Sequence, residues 1–336
     1  MIIVYTHKIT PRIRYIFKHI LARTLLIPVA FTTKVEEFVA HNGPKLSYTK
    51  TPLGTEFFIK SNDLLFEQGV NDIDINVNNW DNVPCFFATN IKSAIPFDIF
   101  AASFYLISRY EEYLPHVKDA HGRYTAEQSL AFKKGFLEKP VVDIWAYKFL
   151  EILKDKFPDY AYKMREYEFI STIDVDNAYA YKNKSLVRSV GGFINDVVRF
   201  KIFNVWNRFA VTFKIKNDPF DTFKELLKFK ESYNIKTIFF FLIGDYTTFD
   251  TNISASKEQY KLLIKEMVDY ADVGLHPSYF SMQKAALLKK EKERLENITN
   301  TPVKSSRQHY LRFSLPETYQ HLIDLEIEED HSMGYA

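Results

Sequence analysis

Short apolar runs and helical-period segments alternate along most of this chain. Met1-Ile-Ile-Val-Tyr-Thr6 reads as a strand, and Thr10-Pro11 fits an N-cap followed by proline in the first helical turn. Ile13, Ile16, Phe17, Ile20 and Leu21 continue at helical spacing, and Leu26 to Thr32 reads as a second strand. Residues 45–90 alternate and are rich in turn residues, which predicts β structure. Asp98 to Tyr113 and Pro140 to Leu153 read as helices, and the charged stretch Lys154 to Arg165, with Pro158, as a linker. These features predict an N-terminal α/β domain over residues 1–160 and a second domain over 161–336.

The rhythm changes after the linker. Strands are expected from Tyr167 to Ile173, Lys236 to Ile243, Asp272 to Leu275, Val303 to Ser306 and Asp324 to Glu328. Helices are expected between them at Thr222 to Tyr233, Lys257 to Tyr270, Met282 to Ile298 and Pro316 to Leu322. Strands alternating with helices imply parallel βα units. No internal repeat is evident.

Composition narrows the classes. Of 336 residues, 44 are Lys or Arg and 42 are Asp or Glu, too balanced a charge for a dedicated nucleic-acid binder. The single cysteine, Cys85, excludes an intramolecular disulfide and any multi-cysteine metal site, and reads as a buried residue. A metal centre would have to use histidine and carboxylates. The N-terminus has no basic segment before its apolar run, and Ile20 to Phe31 is far short of the ~20 residues that span a bilayer. A cytoplasmic protein is expected, with peripheral contact at the inner membrane left open.

The candidate chemistry lies in the positions of polar residues. Three strands end in metal-competent or charged side chains: Asp174 and Asp176, then His276, then Arg307 and His309. Catalytic groups of (β/α) barrels sit at these strand ends. Asp174 and Asp176, two apart on an extended chain, share one face. Two adjacent carboxylates repel unless a cation neutralises them, and histidine with carboxylate suits zinc or a similar ion. Alone, an Asp-X-Asp at a strand end is more often a turn or a helix cap, and a histidine before proline is more often structural. Three such ends in one series favour a site. His121-Gly-Arg123 reads first as a polar turn, and Arg109 to Glu112 as paired charges at a helix end.

Several of these segments resemble the motifs of polysaccharide deacetylases, the NodB-homology or carbohydrate esterase family 4 group. Ser171-Thr-Ile-Asp-Val-Asp176 resembles the first motif, Gly274-Leu-His-Pro-Ser-Tyr279 the metal-histidine motif, and Ser306-Arg-Gln-His-Tyr310 the arginine motif. Ser108-Arg-Tyr-Glu-Glu-Tyr113, His121-Gly-Arg-Tyr124 and Asp218-Pro-Phe-Asp-Thr222 are similar to a divergent Bacteroidetes-type branch with an extra N-terminal domain. The resemblance implies an incomplete, distorted (β/α) barrel and metal-dependent deacetylation of N-acetylated sugars in a glycan or glycolipid. Within it, Asp174 matches the general base and Arg307 the residue that orients it. Asp176, His276 and His309 would hold a divalent metal, zinc by expectation. Val175 stands where the family has its metal aspartate, and Phe280 where it has its second histidine. Those departures motivate the alternative of an inactive, deacetylase-like carbohydrate-binding or scaffold protein. His331 is considered as the acid, beside the reading that it is an exposed loop residue.

Two further expectations concern the rest of the second domain. The insertion 178–220 interleaves Lys182, Lys184, Arg188, Arg199, Lys201 and Arg208 with Phe193, Phe200, Phe203, Trp206 and Phe209. A lid or core helix packed on the barrel is preferred, with a basic amphipathic helix on an anionic membrane as the alternative. The resemblance also implies that the chain stops before the family's next motif. An open sheet with the strand near Leu325 at its edge, a poorly packed Met333 to Ala336 and little activity from the chain alone are therefore expected.

Overall fold

The structure is a computed structural model that describes residues 1–89, 92–184 and 186–335. The chain divides into two compact units, Met1–Val117 with Tyr124–Tyr167, and Lys118–Arg123 with Glu168–Ala336.

The first unit contains β1 (Ile2–Tyr5), α1 (Pro11–Phe17), β2 (Val29–Thr32), α2 (Val35–Ala40), β3 (Lys45–Thr49) and β4 (Phe57–Lys60). After them come β5 (Asn78–Trp80), β6 (Val83–Cys85), α3 (Ile99–Ile107), α4 (Leu130–Lys133) and α5 (Val141–Lys156). β2-β1-β3-β4 form one parallel sheet, and β5 and β6 an antiparallel pair. Thr10 caps α1 by accepting the Ile13 N–H at 3.1 Å. The core is aromatic: Phe17 stacks on Phe100 at 3.5 Å, and Trp145 donates its Nε1–H to the Pro84 carbonyl at 3.0 Å. Buried Asp98 caps α3, accepting from Phe100 and Ala101 N–H and also from Asn62 N–H and the Tyr48 hydroxyl. Burial nevertheless dominates and lifts its pKa to about 6. Cys85 is buried, and burial pushes its thiol up to about 11.

Two expectations change here. The helix expected over Asp98 to Tyr113 stops at Ile107, because Arg109 takes a left-handed φ of 51° and residues 110–113 form a single tight turn. Arg109 still pairs with Glu112 across that turn, and both are nearly buried. The strand expected from Leu26 starts only at Val29, since Leu26 itself is left-handed at φ 56°.

The second unit contains β7 (Ile170–Val175), α6 (Leu186–Val198), α7 (Ile202–Thr212), α8 (Phe223–Tyr233), β8 (Lys236–Leu242) and α9 (Glu258–Tyr270). It continues with β9 (Asp272–His276), α10 (Ala285–Thr299), β10 (Ser305–Ser306), α11 (Glu317–Asp324) and β11 (Glu329–Asp330). All five strands are parallel, in the order β11-β10-β9-β8-β7. Each βα unit therefore steps the sheet in one direction, and right-handed crossovers place the helices on one face. Val175, Phe239, Phe241 and Leu275 pack against Tyr260, Ile264, Met267, Leu288, Leu295 and Leu322 on that face. The alternate positions Thr172, Asp174, Phe240, Gly274 and His276 belong to the other face. Gly274 has to be glycine: a Cβ there would lie 2.5 Å from the Phe240 ring and 2.6 Å from Ser305 Oγ.

The sheet curls toward this second face. Arg307 follows β10, yet its Nη1 lies 3.1 Å from Asp174 Oδ1 and its Nη2 2.7 Å from Thr172 Oγ1, both on β7. On a flat sheet three strand spacings would separate them by about 14 Å, more than these side chains bridge. Phe240, between them, lies under the guanidinium at 5.1 Å.

The last strand differs from expectation. Residues 324–328 are not a strand: α11 runs to Asp324, Leu325 caps it, and Glu326 turns left-handed at φ 57°. The edge strand is β11, pairing Ser305 with Glu329 and Ser306 with Asp330. Beyond it Ser332 is fully buried, Met333 is exposed, Gly334 and Tyr335 are half-buried, and Ala336 lies outside the described residues. The insertion also departs from a packed core helix, because α6 leaves Val190, Phe193, Ile194, Val197 and Val198 exposed and α7 leaves Ile202, Phe203, Trp206 and Phe209 exposed. Among the described residues, no helix is long and apolar enough to cross a membrane.

Candidate metal centre

Asp176, His276 and His309 come from the ends of three strands at the C-terminal edge of the curled sheet. Asp176 follows β7, His276 ends β9 and His309 follows β10. Their ligand atoms lie within 4.8 Å of one another. Asp176 Oδ1 is 3.0 Å from His276 Nε2 and 3.6 Å from His309 Nε2. Val175 could not substitute for Asp176, since alternation turns it into the helix-side core, where it is buried.

Both rings are held from behind. His276 Nδ1 donates to the Arg307 carbonyl at 2.6 Å, and a carbonyl can only accept, so this nitrogen carries the proton. His309 Nδ1 lies 2.9 Å from Asp250 Oδ1. Each Nε2 is thereby turned toward Asp176 Oδ1. With both rings neutral, two lone pairs and a carboxylate oxygen would converge, three acceptors without a donor. A proton or a cation has to sit among them. Ligands at about 2.1 Å around a tetrahedral zinc-type ion are about 3.4 Å apart, and the separations of 3.0 and 3.6 Å bracket that value. The donor set therefore fits a divalent metal, with Asp176 itself open to solvent.

Without an ion, protons on the rings fill that place. Hydrogen bonds from His276 and then His309 hold the Asp176 carboxyl well below the usual carboxylate range. Burial works against a charged His309, but the carboxylates of Asp176 and Asp250 outweigh it and raise the ring to about 9. Asp250 is fully buried and also accepts the Tyr279 N–H at 2.8 Å and the Thr247 hydroxyl at 2.7 Å. Burial would raise its pKa, yet these bonds leave it lowered. The sequence reading misses Asp250, which stands in the loop after β8, several residues beyond the strand end. The available signal is a carboxylate in the loop of the one interior strand that otherwise contributes no group to the series.

The other singled-out residues lie nearby. Arg307 grips Asp174 and Thr172 and donates to the His331 carbonyl at 3.2 Å. His331 is not an exposed loop residue: its side chain is three-quarters buried, 5.1 Å from the Phe240 ring. Phe280 packs edge-on against Phe249 and Tyr279. Phe249 stacks flat on Tyr279 at 3.8 Å, and Arg312 covers Tyr279 at 3.7 Å. Arg312 Nε also donates to the His121 carbonyl at 2.7 Å, and Arg123 Nη1 to the Tyr310 carbonyl at 2.7 Å, so the turn Lys118–Arg123 lies against this aromatic wall. His121 Nδ1 is 3.1 Å from Tyr279 Oη. Glu291, on α10, is buried and holds Ser278 by two bonds, to its N–H at 2.9 Å and to its hydroxyl at 2.5 Å.

The profile of a family of unknown function (DUF7033) matches residues 2–158. No curated protein matches the chain. Among solved structures, the chain is similar to a protein of Mycobacterium smegmatis described as a candidate polysaccharide deacetylase. That likeness has 14% identity and a TM-score of 0.32, covering 50% of this chain and 52% of that one. A CE4 family pseudoenzyme is similar at 15% identity and a TM-score of 0.28, over 50% of this chain and 45% of its own. A mutant of a CE4 family pseudoenzyme with restored enzymatic activity is similar at 14% identity and 0.29, over 50% and 46%. The chain thus spans about half the length of these proteins.

Proposed function

We propose that the second unit is a metal-dependent amidohydrolase of the polysaccharide deacetylase type, removing acetyl groups from N-acetylated sugars. The observation that carries this reading is the convergence of His276 Nε2, His309 Nε2 and Asp176 Oδ1, with no donor among them when the rings are neutral. The motif resemblance around Asp174, His276 and Arg307 supports the reaction class. A divalent ion held by Asp176, His276 and His309 would supply a Lewis acid, able to acidify a water and polarise an acyl carbonyl. Asp174, exposed at the strand end, accepts the proton of the attacking water. Arg307 holds that carboxylate in place from the opposite side of the curl. Asp250 and the Arg307 carbonyl fix the orientation of the two rings. Tyr310, partly exposed beside His309, offers an aromatic face against which a sugar ring can pack.

Zinc-loaded protein incubated with N-acetylated chito-oligosaccharides should release acetate, however slowly. Release should stop with a chelator and with Asp174→Asn. The Phe280 substitution at a family ligand position favours a second reading, a binding protein without turnover. Sugar binding and bound zinc with no acetate release from any acetylated amino sugar would establish that reading instead.

A further inference from the structure

The helix pair α6–α7 takes no part in the proposed chemistry, and it is built inside out. On α6 the apolar side chains Val190, Phe193, Ile194, Val197 and Val198 recur at the spacing of a core-facing stripe. All five are exposed, from 45% at Phe193 to 69% at Val198. The stripe continues through Phe200 in the turn, 86% exposed, to Phe203 and Trp206 on α7, at 70% and 57%. The groups buried in this pair include polar ones. Asp196 and Asn207 are each under a tenth exposed, Arg208 pairs with Asp196 at 2.9 Å, and Lys216 donates to Asn207 at 3.2 Å. The base of the pair is pinned as well: buried Asp218 accepts the N–H groups of Ala180, Tyr181 and Lys182 at 2.8–2.9 Å.

We infer that this hairpin docks the protein on an anionic membrane surface. Residues 186–216 hold six basic side chains (Arg188, Arg199, Lys201, Arg208, Lys214 and Lys216) against one acidic, Asp196. The Arg188 side chain lies outside the described residues. Asp196 is already matched by Arg208, so the remaining basic groups have no acidic counterpart within this segment. Exposed Trp and Phe on an apolar face, joined to basic residues, suit the headgroup boundary of a bilayer. A second copy fits less well, because a two-fold contact would set the same basic segment against itself. Neither helix is long enough to cross, so the contact is interfacial.

Co-flotation of the full chain with phosphatidylcholine vesicles containing about a third phosphatidylglycerol tests this. The protein should float with them, bind pure phosphatidylcholine about tenfold or more weakly, and lose affinity as salt rises. Phe200→Ser, Phe203→Ser and Trp206→Ser together should abolish flotation while leaving the circular dichroism melt unchanged, since all three side chains are exposed. Trp206 fluorescence should shift to the blue on the anionic vesicles. His276→Ala should float like the parent, which separates this inference from the metal centre. An intact protein that stays with the soluble fraction on anionic vesicles would overturn it. So would flotation that survives the triple replacement, or a dimer in light scattering that the replacement dissolves without any lipid binding.

Discussion

Replacing Asp250 by asparagine should weaken zinc binding without touching a ligand. Asp250 reaches the site only through His309, whose Nδ1 it engages at 2.9 Å, and through Tyr279 N–H and Thr247. Its burial is complete, so the charge acts in a low-dielectric setting. Asparagine keeps the volume and one acceptor, but removes the charge and presents a donor to one of its three present donors. Loss of such a partner behind a ligating histidine typically costs about 10–100-fold in metal affinity, or about 1.4–2.7 kcal/mol. The assay is competition for zinc against a chromogenic chelator, with Asp245→Asn as control, because Asp245 is a surface carboxylate paired with Lys290 and Arg294. In the metal-free protein, the His309 resonance followed by NMR should titrate below its parent value of about 9. An Asp250→Asn protein that holds zinc within about twofold of the parent would refute the argument, since Asp250 would then not orient the ring.

Zinc uptake should release protons, and apparent affinity should rise with pH up to about 9, because His309 must lose its proton to ligate; calorimetry in buffers of different ionisation heat reads this. In the metal-free protein, the raised His309 pKa contributes stability that is full below its ordinary 6.5 and lost as pH rises through about 9, so melting points should fall over that interval. Glu291, lifted by burial from 4.5 to about 7, contributes stability that is present below 4.5 and lost as pH rises through 7. Glu291→Gln should therefore flatten the melting profile there, whereas Glu291→Ala should cost about 2–4 kcal/mol in chemical denaturation by orphaning buried Ser278 groups. Phe280→His should not tighten zinc binding in the same competition assay, because the side chain packs with Phe249 and Tyr279.

The legible part of this protein follows from two periodicities. Strand alternation puts Asp174 and Asp176 on one face and Val175 on the other, and parallel βα units bring the ends of β7, β9 and β10 to one edge. A strand-end reading can therefore nominate His276, Arg307 and His309 before any coordinates. Asp250 escapes it because a loop has no period, and the reach of Arg307 to β7 escapes it because curl is a property of the whole sheet. The Asp324 to Glu328 strand is misread for a local reason. Leu325 and Ile327 alternate like a strand, yet both belong to the apolar layer at the end of α11. The stripe on α6 and α7 has core spacing, but spacing reports that a face is apolar and not what covers it.

Asp176, His276 and His309 should together hold one divalent ion. Plasma emission analysis of protein dialysed against zinc and then against metal-free buffer measures it directly. The parent should retain about one equivalent, and His276→Ala and His309→Ala a small fraction of that. A parent protein that retains no zinc, or variants that retain as much as the parent, would contradict it.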